Sequence, residues 1–148
     1  MNIYKVKDHY PMELLLLADP SKKLVNAYLQ KGDCYVMEED NRVVGVYVLL
    51  PINEQSVEII NVAVDEAYQG KGLGKALIID AIERARDLGY QSVEIGTGNS
   101  SIGQLALYQK CGFRISDVRK DFFTLHYEEK IIENGIPCVD MIRLKKEL

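Results

Sequence analysis

Three glycines and two lysines share one short turn, Gln69-Gly70-Lys71-Gly72-Leu73-Gly74-Lys75-Ala76, which is the segment best suited to bind an anion. Glycine adopts positive φ angles and lets a ligand approach the backbone closely. A helix is predicted to begin inside this turn, and the first N–H groups of a helix lack intrahelical partners and favour a negative charge. The turn therefore predicts a phosphate or pyrophosphate site at Gly70 to Lys75.

Two nucleotide-binding motifs do not fit this turn. A Walker A loop needs glycine at position 69 and a hydroxyl residue after Gly74-Lys75, but the chain has Gln69 and Ala76 there. The dinucleotide motif G-x-G-x-x-G also fails, because the third glycine comes one position early. The chain has no room for the two mononucleotide-binding halves of that fold. A nucleotide-binding regulatory domain is therefore disfavoured.

The elements around the turn form a strand–helix–strand unit. Ser56 to Val64 is rich in β-branched residues, which is typical of a strand. Gly72 to Leu88 carries apolar residues at three- and four-residue steps, which predicts a helix, and Gly89 is suited to end it. Ser92 to Gly96 is predicted to be the next strand. This order requires two parallel strands joined by a right-handed crossover.

Antiparallel elements are predicted on both sides of this unit, so we expect an α/β fold with one mixed sheet flanked by helices. We expect residues 1–148 to form a single domain. The flanking segments are a strand at Met1 to Lys7, helices at Tyr10 to Ala18 and from the N-cap Ser21 to Leu29, hairpin strands at Cys34 to Glu38 and Val43 to Leu50, a short helix at Gln104 to Lys110, and strands at Phe113 to Asp117, Phe122 to Tyr127 and Cys138 to Leu144, the last two around a turn at Asn134-Gly135.

Composition excludes several classes of protein. Eighteen basic against 22 acidic residues give a net charge of −4, which argues against a protein that coats nucleic acid. Leu14 to Ala18 is the longest apolar run near the start, far short of the roughly 20 residues of a membrane helix. The first residues also lack the apolar core of a signal peptide, so we expect a cytoplasmic protein with no membrane partner. Cys34, Cys111 and Cys138 are widely spaced and are expected to be free thiols, with no metal site.

Two segments together resemble the GCN5-related N-acetyltransferase (GNAT) family. Gln69-x-x-Gly72-x-Gly74 after a strand that ends Val62-Ala63-Val64 is similar to the acyl-CoA loop of that family. Leu105 to Phe113 is similar to its closing segment, a helix whose tyrosine, here Tyr108, precedes a Gly-Phe pair. The resemblance runs from Glu58 to Phe113. It implies a GNAT-like acyl-CoA N-acyltransferase fold, in which the parallel strands splay apart at Ile60 to Val64 and Val93 to Gly96.

The same resemblance implies acetyl-CoA as co-substrate. Its pantetheine arm would lie along the first of the two strands and its pyrophosphate on the turn. The cofactor-binding residues carried over in this way are Val62, Ala63, Val64, Gln69, Gly70, Lys71, Gly72, Leu73, Gly74 and Lys75. Members of the family often carry asparagine seven residues before the tyrosine. Ser101 stands there in this chain, with Asn99 two residues earlier, and a cofactor contact from either residue remains open.

The resemblance also implies catalytic roles. Tyr108 matches a tyrosine near the thioester sulfur and would be the general acid. Glu58 lies five residues before Ala63, the register of a catalytic glutamate in histone-modifying members, and would be the general base. Glu94 or a chain of water molecules are alternatives for the base, and Glu58 could equally be a solvated strand carboxylate.

The implied activity is transfer of an acetyl group from acetyl-CoA to a primary amine of a small molecule or peptide by direct attack. The alternative is an acyl-CoA-binding or sensor module with weak or no catalysis. The acceptor would be chosen by segments outside the matched region, the helices from Tyr10 to Leu29 and the acidic, aromatic loop from Lys120 to Gly135, which would suit a cationic amine. A homodimer is compatible with this interpretation.

Overall fold

The computed structural model describes residues 2–148, which form nine strands and five helices. In chain order these are β1 Asn2–Val6, α1 Met12–Ala18, α2 Lys22–Leu29, β2 Asp33–Glu39, β3 Arg42–Pro51, β4 Ser56–Val64, α3 Leu73–Asp87, β5 Ser92–Gly98, α4 Ile102–Lys110, β6 Arg114–Arg119, α5 Phe122–His126, β7 Ile132–Glu133, β8 Ile136–Pro137 and β9 Met141–Glu147. A single 3-10 turn, Glu66–Tyr68, precedes the glycine-rich turn.

Seven of the strands form one mixed sheet in the order β1-β2-β3-β4-β5-β9-β6, and β7 and β8 form a separate small hairpin. Only the β4–β5 pair is parallel, and it is the pair that α3 connects. The expected mixed sheet with flanking helices is therefore confirmed. The first residue of the expected opening strand, Met1, lies outside the described residues.

The sheet has a hydrophobic core on each face. On one face α3 packs through Leu77, Ile78 and Ala81 against β3, β4 and β5, and Tyr108 of α4 belongs to the same core. On the other face α1 and α2 pack through residues such as Leu15 and Val25. Burial of these apolar side chains is what holds the helices to the sheet.

A bulge at Ile60 changes which side chains of β4 face which core. Ile59 lies opposite Leu49 of β3 and Asn61 lies opposite Val48, so Ile60 is an extra residue. Before the bulge Ile59 faces the α3 core, whereas beyond it Val62 does so and Asn61 turns towards α1 and α2. An extra residue has this effect because side chains of a strand alternate between the two faces.

The parallel pairing of β4 with β5 also ends at this point. The two strands pair from Ser56–Ser92 to Ile59–Ile95 and then separate. The expected splay is therefore present from Ile60 on β4. On β5 it begins at Gly96 rather than at Val93, because Val93 still pairs with Val57.

The segment Phe122 to Tyr127, expected to be a strand, is instead the helix α5. Its aromatic residues favour a strand locally, but tertiary contacts override this preference. Asp121 adopts a left-handed φ of 60° and its N–H donates to Asp140 Oδ1, and the Phe123 N–H donates to the Val139 carbonyl. These bonds anchor the start of the helix to the segment before β9.

Two other boundaries differ from expectation. The Asn134-Gly135 turn, with φ angles of 56° and 72°, joins the short strands β7 and β8, and β9 begins only at Met141. The helix α4 begins at Ile102, two residues before Gln104, with Ser101 at its N-cap position. The cap of α2 is as expected: Ser21 Oγ accepts a hydrogen bond from the Leu24 N–H at 3.2 Å.

Within residues 2–148, no helix is long and apolar enough to cross a membrane. The same range holds no group of three or more His, Cys, Asp and Glu side chains arranged to bind a metal ion. The three cysteines are free, with Cys34 and Cys138 buried.

The packing of α1 leads to a stability prediction. Leu15 is fully buried between α1 and the sheet, whereas Leu17 of the same helix is 48% exposed. We expect Leu15→Ala to lower the free energy of unfolding by about 2–5 kcal/mol, since it leaves a cavity. Leu17→Ala, the matched control, should lower the free energy of unfolding by less than about 1 kcal/mol. Urea unfolding followed by circular dichroism measures both, and equal losses would contradict the described packing.

Candidate active site

A cleft of about 840 Å³ opens where β4 and β5 separate. One end is lined by the glycine-rich turn and by Tyr108 of α4. The other end is lined by the α1–α2 connection at Asp19 and by Phe123 and Tyr127 from the α5 region. The cleft therefore joins the α3 face of the sheet to the α1 and α2 face.

The glycine-rich turn presents an open backbone surface to this cleft. Gly70 and Gly72 have φ angles of +79° and +82°, and a Cβ added at either would meet nothing within 4 Å. Gly72 is the N-cap of the 15-residue helix α3, whose first internal bond runs from the Ala76 N–H to the Gly72 carbonyl. The N–H groups of Leu73, Gly74 and Lys75 precede that bond, so they are available to an anion.

Two side chains of the turn do not point at such an anion. Gln69 Nε2 donates to the Val64 carbonyl at 3.0 Å, so this side chain closes the turn onto the end of β4. Lys71 Nζ lies 5.1 Å from the centre of the Tyr68 ring and its residue does not line the cleft. Lys75, in contrast, does line it. Lys71 therefore lies outside the cleft, whereas Gln69 lines the cleft but uses its side-chain N–H within the turn.

The free edge of β4 faces the cleft at alternate residues. The Asp65 N–H donates to the Val44 carbonyl on β3, so the peptide groups of Val62 and Val64 point away from β3, towards the separation. Ala63, expected with them as a cofactor ligand, directs its own peptide groups to β3. An extended ligand could therefore pair with the peptide groups of Val62 and with the Val64 N–H, because the Val64 carbonyl already accepts from Gln69 Nε2. It could not pair with the backbone of Ala63.

Tyr108 lies in the cleft wall on the α3 side and is only 5% exposed. Burial raises the pKa of its hydroxyl above the ordinary value for tyrosine. The hydroxyl has no hydrogen-bond partner among residues 2–148. It is thus a protonated donor, free to act on whatever occupies the cleft.

Glu58 lines the cleft, but its carboxylate is held by a buried arginine that the sequence analysis did not identify. Arg143 of β9 is 3% exposed; its Nη1 lies 2.7 Å from Glu58 Oε2 and its Nη2 lies 3.3 Å from Glu94 Oε1. Gly96 makes this possible, because a Cβ there would lie 2.8 Å from Nη1. The one available signal was an arginine inside the apolar run Met141-Ile142-Arg143-Leu144.

Asn99 and Ser101 have different surroundings. Asn99 Oδ1 accepts from the N–H groups of Val139 and Asp140, and its Nδ2 donates to the Pro137 carbonyl, so this side chain orders the segment before β9. Asn99 is not among the residues that line the cleft. Ser101 is buried in the cleft wall, where its Oγ donates to Glu133 at 2.9 Å.

A polar network on the α1 and α2 side was also missed. Asn61 Nδ2 donates to the Leu15 carbonyl at 2.9 Å and to the Tyr28 hydroxyl at 2.8 Å. Asp19 then accepts from the hydroxyls of Tyr28 at 3.3 Å and Tyr127 at 2.8 Å. Burial raises the pKa of both tyrosines, so both remain donors. The bulge at Ile60 hid this network, since regular alternation would turn Asn61 to the other face.

The Arg143 cluster leads to a second prediction. Arg143→Met leaves Glu58 and Glu94 side by side without their cation, which should lower the free energy of unfolding by about 3–5 kcal/mol at pH 7. Glu58→Gln keeps the Arg143–Glu94 pair and an oxygen that can accept from Arg143. It should therefore lower the free energy of unfolding by about 2 kcal/mol or less. Urea titration of the two variants tests this order, and an Arg143→Met protein as stable as Glu58→Gln would contradict it.

Known proteins match both the sequence and this geometry. The family model described as "Acetyltransferase (GNAT) family" matches residues 4–113. "Uncharacterized N-acetyltransferase YvbK" of Bacillus subtilis (strain 168) is 58% identical over 136 residues, which cover 92% of this chain and 88% of that protein.

Solved structures give the same assignment. A GNAT family acetyltransferase from Elizabethkingia anophelis with acetyl-CoA bound has a TM-score of 0.97 and 49% identity, covering 99% of this chain and 97% of that one. A Bacillus subtilis acetyltransferase in complex with CoA has a TM-score of 0.96 and 54% identity, covering 99% of this chain and 98% of that one. The chain therefore belongs to the GNAT family of acetyltransferases.

Proposed function

We propose that this enzyme transfers an acetyl group from acetyl-CoA to a primary amine by direct attack. The observation that carries the proposal is one continuous cleft that joins an open helix N-terminus, a free strand edge and a buried, protonated tyrosine. Similar proteins bind the same class of ligand, since the two homologous structures contain acetyl-CoA and CoA.

The residues of the cleft fit acetyl-CoA at three points. The N–H groups from Gly70 to Lys75 would hold the pyrophosphate, in a place with no side chain in the way. The peptide groups of Val62 and the Val64 N–H would pair with the amides of the pantetheine arm. Tyr108 would then lie near the thioester, at the point where β4 and β5 separate.

The proposed reaction forms one bond and breaks one. The amine nitrogen attacks the thioester carbon, a C–N bond forms, and the C–S bond breaks. Tyr108 donates its hydroxyl proton to the departing sulfur, and the phenol regains a proton from solvent after release. Because burial raises the pKa of Tyr108, the hydroxyl stays protonated throughout the neutral range and is always ready to donate.

Glu58 is the proposed acceptor for the proton that the amine loses, directly or through a water molecule. Its pairing with Arg143 does not prevent this, because Arg143 also binds Glu94. When Glu58 takes up a proton, Glu94 still balances the buried guanidinium, and no unpaired charge is left in the cleft wall. Arg143 would thus keep Glu58 in one orientation while the proton moves.

Ligand binding tests the cofactor site. Acetyl-CoA and CoA should raise the melting temperature, whereas ATP and NAD should not, since ligands that bind only the folded state stabilise it. Gly72→Val forces a side chain into a left-handed conformation at the open turn and should abolish the CoA-dependent shift. Gly103→Val is the matched control, because Gly103 lies in α4 outside the cleft with open space around it. A full shift in Gly72→Val would show that the phosphate site is elsewhere.

Kinetics test the role of Tyr108. With an amine found by screening polyamines, amino acids, aminoglycosides and peptide N-termini, Tyr108→Phe should lower kcat about 10-fold or more. The KM for acetyl-CoA should change little, since the ring remains. Tyr90→Phe, outside the cleft, is the control. An unchanged kcat would remove Tyr108 from the acid role, and a chain that binds CoA but acetylates no amine would favour the sensor alternative.

The pH profile gives an independent check. The ordinary tyrosine pKa is 10.0, and burial raises that of Tyr108. Ionisation of this hydroxyl would stop proton donation, but it should occur only above the ordinary value. Between pH 8 and about pH 9.5, ionisation of Tyr108 should therefore not lower the kcat of the wild type. The pH profiles of the wild type and of Tyr108→Phe should have the same shape in this range. A fall in that range that disappears in the variant would contradict the raised pKa.

A further inference from the structure

We propose that the half of the cleft between α2 and α5 binds a primary amine whose ammonium group is attached to an aromatic or otherwise apolar body. Asn61 and Asp19 would hold the ammonium group, and the aromatic side chains of the α5 region would cover the body. This inference rests on the proposed acetyl transfer and adds the chemical class of the acceptor.

Asn61 supplies the first observation. Its side chain is 3% exposed, and both N–H bonds of Nδ2 are used, on the Leu15 carbonyl and the Tyr28 hydroxyl. Its Oδ1 is buried and has no partner within residues 2–148. A buried acceptor without a donor is costly, and Asn61 lines the cleft. A hydrogen-bond donor such as an ammonium group would satisfy this acceptor.

Asp19 supplies the charge. Its carboxylate accepts from the hydroxyls of Tyr28 and Tyr127 and from the Ser21 N–H, all uncharged donors. No described residue forms an ion pair with it, in contrast to Glu58, which Arg143 neutralises. Tyr28 bridges Asp19 and Asn61, so the carboxylate and the open amide oxygen belong to one network. An ammonium group would satisfy both.

The surroundings of this network are apolar. Phe122, Phe123 and Tyr127 line the cleft, with ring centres 5.2 Å apart for Phe122 and Phe123 and 5.7 Å apart for Phe123 and Tyr127. Leu17 and Leu24 line it from the side of α1 and α2. Aromatic faces attract a nearby cation and also bury an apolar body. A polyamine would place further charges against this apolar surface, which disfavours it.

The position on β4 connects this subsite to the chemistry. Because of the bulge at Ile60, Asn61 and Glu58 lie on the same face of the strand, at the point where β5 departs. An amine bound to Asn61 would therefore lie beside the proposed proton acceptor. The subsite binds the ammonium form, and the proton leaves towards Glu58 before attack.

Calorimetry in the presence of CoA tests the subsite without turnover. We expect 2-phenylethylamine to bind with a Kd at least about 10-fold lower than that of 2-phenylethanol, which lacks the charge, or of spermidine, which lacks the ring. Asn61→Leu should raise the Kd of 2-phenylethylamine about 10-fold or more and leave the Kd of CoA within about twofold. Asn26→Leu, on the exposed side of α2, is the control.

A second variant keeps the test decisive if Asn61→Leu fails to fold. Phe123 lies on the partly exposed helix α5. Phe123→Leu should raise the Kd of 2-phenylethylamine about fivefold or more and leave the affinity for CoA unchanged. Equal binding of 2-phenylethanol would exclude ammonium recognition, and tighter binding of spermidine would make the site a polyamine site. If both variants bind 2-phenylethylamine as tightly as the wild type, the subsite assignment is wrong and Asn61 has only a structural role.

Acetylation assays separate the two proposals. With acetyl-CoA, mass spectrometry should detect N-acetyl-2-phenylethylamine in preference to acetylspermidine. If other amines are acetylated and 2-phenylethylamine neither binds nor reacts, the subsite assignment fails and the proposed function stands. If CoA does not bind and no amine is acetylated, the proposed function itself fails.

Discussion

The separation of β4 from β5 after Ile59 and Ile95 is the constraint on which the rest of the structure depends. A sheet that opens at its centre leaves unpaired peptide groups where a sheet normally has none, and such groups need partners. Here the strands part only after four paired residues have aligned them, so the opening has a defined starting point. Every group in the proposed chemistry lies at or near that point: the edge at Val62, the proposed acid Tyr108 and the carboxylate of Glu58.

The ion cluster at Arg143 stabilises the sheet just where it is weakest. Glu58, Glu94 and Arg143 come from three neighbouring strands, β4, β5 and β9, and lie on one face. The guanidinium is buried and both carboxylates are partly buried, and burial of the cation is tolerable because both carboxylates meet it. Gly96 is part of the same arrangement, since the guanidinium passes over it to reach β4. The cluster thus crosslinks β4, β5 and β9 by side chains close to the last paired residues before β4 and β5 separate.

Much of the cofactor half could be predicted from sequence, because it is local. Ser56–Val64, the glycine-rich turn and α3 are consecutive, and strand, turn and helix patterns each act over a few residues. The bulge at Ile60 could not be predicted, since it depends on how β3 pairs with β4. Nor could α5, whose aromatic sequence favours a strand until Asp140 and Val139 anchor it as a helix. The roles of Asn99 and Arg143 arise from contacts about 40 to 85 residues apart in the chain.

The cleft passes through the sheet, with the glycine-rich turn on the α3 side and Asp19 on the side of α1 and α2. If the donor enters on the α3 side and the acceptor on the side of α1 and α2, the two do not have to exchange places, so neither must leave before the other arrives. Such an arrangement suits a sequential kinetic scheme, in which both substrates are bound together when the acetyl group moves. In the proposed function it also divides the chain into two parts that can change separately in evolution. A contiguous middle would bind the donor, and two terminal regions, joined by the Tyr127–Asp19 hydrogen bond, would choose the acceptor.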